Sequence, residues 1–203
     1  MPNHVSNIIQ LKALDSEEDW RKEEEALEAM KALMKTETHP FDFNVLIPYP
    51  EQYKALDDAR HEAEKQPGMT WQNLPKDGYN QGGYEWCVEH WGTKWNAYDI
   101  GFTSEGVAFQ TAWATPKPIF VELSKRFPDL LLEVEFADED RGNNCGKLVY
   151  KNGKLVEFVD MSDRPDSELF ARAIIAEQGE AHTYMELAEL REKVKAQTPT
   201  SFS

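Results

Sequence analysis

The sequence predicts an α+β fold in which helices cover one face of a mostly antiparallel sheet. Runs with alternating apolar residues are separated by runs with helical spacing, and together they form a β-α-β unit followed by a β-β-α-β unit. An Asn-Gly pair between two further apolar runs indicates one more hairpin. With 203 residues and 40% hydrophobic content, the chain is long enough to bury one substantial core.

The first unit is read from the start of the chain. Apolar residues alternate over residues 4–11, which predicts a strand. Ser16, followed three residues later by an acid, predicts the start of a helix whose apolar residues recur on one face up to about residue 35. Alternation returns over residues 41–47 and ends at Pro48, so we expect a second strand there.

Residues 48–90 are predicted to be an insertion. They contain a polar helix over about residues 51–66 and a loop rich in proline, glycine and asparagine. A short helix follows, with apolar residues at i, i+3, i+4 and i+7. That spacing carries Trp91 toward the core.

The second unit begins with a predicted hairpin of strands at residues 95–102 and 107–113. Pro116 suits the first turn of the next helix, and residues 130–136 alternate as the strand after it. The turn at Asn152 should add two more strands to the sheet. The resulting order, β-α-β-insertion-β-β-α-β, is that of a ferredoxin-like sandwich with the helices of both units on one face of the sheet.

These elements define the expected domain organisation. We expect a ferredoxin-like domain over residues 1–160, a C-terminal helical segment over residues 161–197 and a polar, mobile tail over residues 198–203. In the helical segment, one helix opens at Pro165 and breaks at Gly179. A second helix would carry its apolar residues at Tyr184, Leu187, Leu190 and Val194.

Composition excludes several classes of function. The net charge of −15 opposes direct binding to nucleic acid, because that affinity comes chiefly from Lys and Arg. No apolar run has the roughly 20 residues of a membrane span, and the first residues lack a basic segment followed by an apolar one, so we expect no signal peptide. Cys87 and Cys145 have no metal-ligand spacing, so we expect reduced thiols and no zinc site. A cytoplasmic protein without a cofactor is therefore predicted.

The most informative segment is residues 91–99, which read Trp-Gly-Thr-Lys-Trp-Asn-Ala-Tyr-Asp. Such a mixture of aromatic, cationic, amide and acidic groups is consistent with a binding site, and equally with an aromatic core whose polar residues are solvated. If it is a site, aromatic surface and polar donors should converge at one end of the sheet. The candidate ligand- or partner-binding residues are Asn3, His4, Trp91, Lys94, Trp95, Asn96, Asp99 and Trp113.

The same segment carries a family resemblance. Residues 3–5 (Asn-His-Val), residues 91–99 and residues 110–113 (Gln-Thr-Ala-Trp) leading into Pro116 resemble the YubB-like family of phage and plasmid proteins. The resemblance covers about residues 1–160. It implies a ferredoxin-like domain and a mobile-element protein acting inside a bacterial host cell. It implies no reaction, because the family offers no catalytic residues to carry over.

One acidic cluster is a weak candidate for metal-dependent chemistry. Asp138, Glu139 and Asp140 follow a predicted strand, and clustered carboxylates at a strand end can hold Mg²⁺ or Ca²⁺. His4 is the histidine that a hydrolase could use with them. The sequence offers no further obvious partner for this chemistry, and a solvated acidic turn is the preferred interpretation. We therefore predict no catalytic residues.

Three functions follow from these observations. The favoured one is a non-enzymatic counter-defence protein of a phage or mobile element, which binds a host protein or sequesters a small nucleotide signal. The second is a metal-dependent hydrolase that uses the acidic cluster. The third is an acidic DNA mimic, since residues 15–28 hold eight acids against two basic residues.

Overall fold

The computed structural model describes residues 3–14 and 20–176, and this part of the chain forms six β-strands and five α-helices. The strands are β1 (His4–Lys12), β2 (Tyr98–Phe102), β3 (Gly106–Ala112), β4 (Leu131–Asp138), β5 (Cys145–Lys151) and β6 (Lys154–Asp160). The helices are α1 (Trp20–Met34), α2 (Glu51–Glu64), α3 (Gly83–His90), α4 (Lys117–Arg126) and α5 (Ser167–Ala176).

All six strands form one antiparallel sheet in the order β2-β3-β1-β4-β5-β6. The elements β1-α1-β2-β3-α4-β4 follow the β-α-β-β-α-β order of a ferredoxin-like domain, with β1 between β3 and β4. The hairpin β5-β6 extends the sheet beyond β4, and α5 follows it. The predicted α+β, ferredoxin-like fold class is confirmed.

Helices α1 and α4 lie on the same face of the sheet, as predicted. Their apolar residues share one core cluster with the residues of β1 that point to that face. Burying each large apolar side chain contributes about 1.5–3 kcal/mol relative to leaving it exposed. The side chains contributed by α1, α4 and β1 are Leu27, Met30, Met34, Ile119, Phe120, Leu123, Val5, Ile9 and Leu11.

Helix α5 packs against the opposite face. Phe170 and Ile174 of this helix join a second, smaller cluster with Ile8, Ala137 and Cys145 of the sheet. Ile8 follows the alternation of β1, because neighbouring strand residues point to opposite faces. The sheet is therefore covered by described helices on both faces.

Residues 41–47 are not a strand, and this prediction was wrong. A short 3-10 helix, Phe43–Val45, replaces it, and β2 takes the place beside β3. Phe41 and Phe43 are fully buried, but they pack from a loop that is held by hydrogen bonds other than a ladder. The Asp42 N–H donates to Met34 O at 2.7 Å, and the Asp42 carboxylate accepts from Asn44 N at 2.9 Å. The alternation of buried aromatic residues therefore gives this loop the sequence pattern of a strand.

The insertion follows the prediction more closely. Helix α2 is polar and buries no residue fully, and α3 ends just before Trp91. The hairpin strands begin and end within three residues of the predicted bounds, since β2 begins at Tyr98 rather than at Trp95. Asn152 and Gly153 both have positive φ (46° and 78°), as the turn of the β5-β6 hairpin requires.

Several predictions lie outside the described residues. These are the capped helix start at residues 16–19, the break at Gly179, the second C-terminal helix with Tyr184 to Val194, and the tail over residues 198–203. Within the described ranges, every helix is too short or too polar to cross a bilayer.

Candidate functional site

The segment after α3 is shaped by its backbone. Gly92 has φ +78°, and a Cβ there would lie 2.8 Å from Pro118 Cδ, so a larger residue would be both strained and crowded. Buried Thr93 then binds the end of β3, because its hydroxyl donates to Ala112 O at 2.8 Å and accepts from Ala112 N at 3.1 Å. These contacts bring Lys94 and Trp95 to the surface beside β3.

Trp91 belongs to the core. Its side chain is buried, and its indole Nε1 donates to Ile47 O at 2.8 Å. Its ring packs edge-to-face against Phe43 and Trp86, with centroids 5.9 and 5.5 Å away. Trp91 therefore positions the segment and presents no surface of its own to a partner.

Asn96 also supports the fold. Its Oδ1 accepts hydrogen bonds from Phe43 N and from Ala97 N, both at 3.0 Å, and its Nδ2 donates to Asp42 Oδ1 at 2.8 Å. Burial raises the pKa of Asp42, but hydrogen bonds from Asn44 and Asn96 outweigh it, so the pKa stays below the ordinary value. This network fixes the 3-10 segment that the sequence had predicted as a strand.

Lys94 converges with three aromatic rings, as the sequence predicted for part of the set. Its Nζ lies 3.3 Å from the Trp113 ring centroid, 5.6 Å from that of Trp95 and 5.8 Å from that of Tyr84. Trp95 and Trp113 are 36% and 47% exposed. Together with Tyr98, whose ring centroid is 6.4 Å from that of Trp95, these residues form a surface that we call the aromatic end.

Trp113 has an unusual backbone conformation. Its φ is +74°, in the left-handed region that bulky residues avoid. Its N–H donates to Asn3 O at 2.9 Å, and its carbonyl accepts from Asn144 Nδ2 at 3.3 Å. The turn that follows is held by Thr115, whose hydroxyl donates to the buried Asn7 Oδ1 at 2.6 Å. The surrounding contacts thus hold a half-exposed tryptophan in a strained position.

His4 lies at the same end of the sheet. Its Nδ1 is 2.6 Å from the hydroxyl of Tyr98, and the two rings meet edge-on at 5.7 Å. Burial, followed by the charges of Asp99 and Glu139, raises the pKa of Tyr98 to about 12. Asp99 itself is exposed on β2. Predicted residues His4 and Asp99 therefore border the aromatic end.

Asn3 and the acidic cluster form a structured loop beside it. The buried carboxylate of Asp138 accepts from Asn3 Nδ2 at 3.1 Å, from Asn144 Nδ2 at 3.1 Å and from Asp140 N at 2.9 Å. The carboxylate oxygens of Asp138 therefore hold the loop together. Among residues 3–14 and 20–176, no group of three or more His, Cys, Asp or Glu side chains is arranged to hold a metal ion.

Sequence reasoning did not select Tyr84, Tyr98 or Asn144 as site residues. In the sequence Tyr84 shows only the spacing of a short amphipathic helix, and Tyr98 lies among the tryptophans of residues 91–99 with no signal of its own. Asn144 lies 31 positions from Trp113 and has no local signal. Its positive φ (44°), which asparagine tolerates better than most residues, is known only from the structure.

Comparisons with known proteins agree with the fold. Residues 90–185 match a family described as a ferredoxin-like domain in Api92-like protein. The matched segment begins at the end of α3 and includes the described strands β2 to β6 with α4 and α5. No curated protein and no solved structure matches the chain. This segment is thus similar to a ferredoxin-like domain, in agreement with the sheet order described above.

Proposed function

We propose that this is a non-enzymatic binding protein that captures a protein partner at the aromatic end. The observation that carries the proposal is Trp113, a half-exposed tryptophan with φ +74°. Left-handed conformation costs an L-residue about 1–2 kcal/mol, and such strain clusters at functional sites. A tryptophan with no role at the surface would not require it.

The chemistry of the aromatic end supports a protein as partner. Tryptophan and tyrosine are, with arginine, the residues enriched among the anchors of protein interfaces. Trp95 and Trp113 offer large, partly exposed faces, and the Trp113 backbone is held by Asn3 and Asn144, so little conformational freedom is lost there on binding. A nucleotide is less favoured, because Asp99 and Glu139 place negative charge close to Tyr98 and would repel its phosphates.

The biological setting is part of the proposal. The likeness of residues 91–99 to the YubB-like family supports a phage or plasmid protein that acts on a host protein in counter-defence. The net charge of −15 adds long-range attraction toward a basic partner. The metal-dependent hydrolase has less support, because Asp138 already accepts three hydrogen bonds within its loop.

Affinity capture from a bacterial lysate tests the proposal with two matched variants. Trp113→Gly removes the ring and suits the left-handed backbone, whereas Trp71→Ala removes a tryptophan that is 78% exposed in the insertion. We expect a protein retained by the wild type and by Trp71→Ala to be lost with Trp113→Gly. Equal retention by all three would contradict the proposed site, and release of a nucleotide from the denatured wild-type protein would contradict a protein partner.

A further inference from the structure

Lys94 stands where a bound cation would stand in an aromatic cage. Its ammonium lies 3.3 Å from the ring centroid of Trp113, with Trp95 and Tyr84 at 5.6 and 5.8 Å. The Tyr84 and Trp113 rings are nearly perpendicular (84°), so they form two walls around the same point. Rings arranged in this way bind quaternary and methylated ammonium groups through their negative faces.

The walls of this cage come from three separate elements. Tyr84 lies on α3, Trp95 precedes β2, and Trp113 follows β3. Tyr84 is further supported by Tyr79, whose ring meets it edge-on at 5.8 Å. Among the described residues, the ammonium of Lys94 lies over these three rings and makes no hydrogen bond or ion pair. The fold therefore positions the rings, whereas the Lys94 ammonium reaches them at the end of a flexible side chain.

The surrounding charge favours a cation. After burial, the negative charges of Asp99 and Glu139 contribute to the raised pKa of Tyr98. The Tyr98 ring centroid lies 6.4 Å from that of Trp95. Helix α3 also carries the exposed Glu85 and Glu89. A carboxylate lowers the energy of a positive group that comes within about 8–10 Å of it, beyond which salt screens the attraction. The same carboxylates would repel an anionic group.

We infer that Tyr84, Trp95 and Trp113 form a binding cage for a cationic side chain of the protein partner, and that Lys94 occupies the cage until the partner's group displaces it. The inference rests on the proposed function for its biological ligand. Lys94 then has two effects: it fills the space between the rings in the free protein, and it weakens binding because it must leave.

Saturation-transfer NMR with tetramethylammonium chloride tests the cage directly, with sodium chloride as the matched ionic control. Lys94→Ala empties the cage, so it should bind the probe about tenfold more tightly than the wild type. Adding Trp113→Gly to Lys94→Ala should abolish the signal, whereas adding Trp71→Ala should leave it unchanged. Thermal melting confirms that each variant is folded.

Two results would overturn the inference. One is the absence of saturation transfer with folded Lys94→Ala, and the other is a signal that survives addition of Trp113→Gly. Partner capture that depends on Trp113 without any binding of tetramethylammonium would refute the cage and leave the proposed function intact. Probe binding without partner capture at Trp113 would support the cage and refute the proposed function.

Discussion

Replacing Trp113 by glycine and by alanine should reverse the usual order of their effects on stability. Alanine is normally less destabilising than glycine, because glycine loses more backbone entropy on folding. At φ +74° the order changes, since an L-residue bears a left-handed penalty that glycine lacks. Both variants lose the same ring, so the difference between them reports the backbone alone.

The magnitude follows from the contacts of the ring. Both variants lose the interaction with Lys94 at 3.3 Å, worth about 0.5–1 kcal/mol at an exposed site. They also lose the edge-on pair with Tyr84 at 6.2 Å, worth about 0.5–1.5 kcal/mol. Trp113→Gly regains about 1 kcal/mol from the relieved backbone. Both variants also lose the burial of the covered half of the ring, which is the same for each, so the comparison between them is the sharp quantity: Trp113→Ala should be about 1 kcal/mol less stable than Trp113→Gly.

Urea unfolding with a common m-value measures these differences. Trp95 supplies the control, because it is half exposed on the same surface and its φ is not positive. At that position alanine should be the more stable replacement. If alanine is equal to or better than glycine at Trp113, this position carries no left-handed strain, and Trp113 no longer supports a functional surface.

Three further predictions concern the residues around the site. Asn96→Ala should cost about 1–3 kcal/mol in urea unfolding, because the Phe43 N–H loses its acceptor; a free energy of unfolding equal to that of the wild type would contradict the structural role of Asn96. Asp42 has a folded-state pKa below its ordinary 3.8, so its stabilising contribution is present above that value and lost as pH falls through the lower folded value. The free energy of unfolding of Asp42→Asn should therefore depend less on pH in the acid range than that of the wild type. Identical pH profiles for the two proteins would contradict this. Burial raises the pKa of Cys87 to about 12 and that of Cys145 to about 11, so both thiols should react slowly with an aromatic disulfide at pH 8 until the protein is unfolded in guanidinium. Fast reaction of the native protein would show that these thiols are accessible.

The sheet was predictable because its strands have clear local patterns. Alternation over residues 4–11 and the Asn152 turn are decided by side-chain period and by turn geometry, which the sequence displays directly. The strand prediction for residues 41–47 was wrong because Phe41 and Phe43 alternate in order to pack in the core. Their backbone hydrogen bonds go to other groups, such as the side chain of Asn96, rather than to a neighbouring strand. A local pattern cannot reveal which hydrogen-bond partners the backbone finds.

The place where the candidate side chains converge was predictable, but only some of the residues that meet there were. The residue types of positions 91–99 pointed to one end of the sheet, and Lys94, Trp95 and Trp113 do meet there. Burial separates Trp91 from Trp95, although they are the same residue type four positions apart. Asn144 escaped notice because its role depends on a turn far away in sequence.

Hydrogen–deuterium exchange of the protein with its captured partner tests the central claim most directly. Binding at the aromatic end predicts slower exchange over residues 93–99 and 111–115, with residues 51–81 of the insertion unchanged. The same protection should be absent when Trp113→Gly is mixed with the partner. Protection confined to residues 51–81 or to the acidic surface of α1, with residues 93–99 and 111–115 unaffected, would contradict the account and place the working surface elsewhere on the molecule.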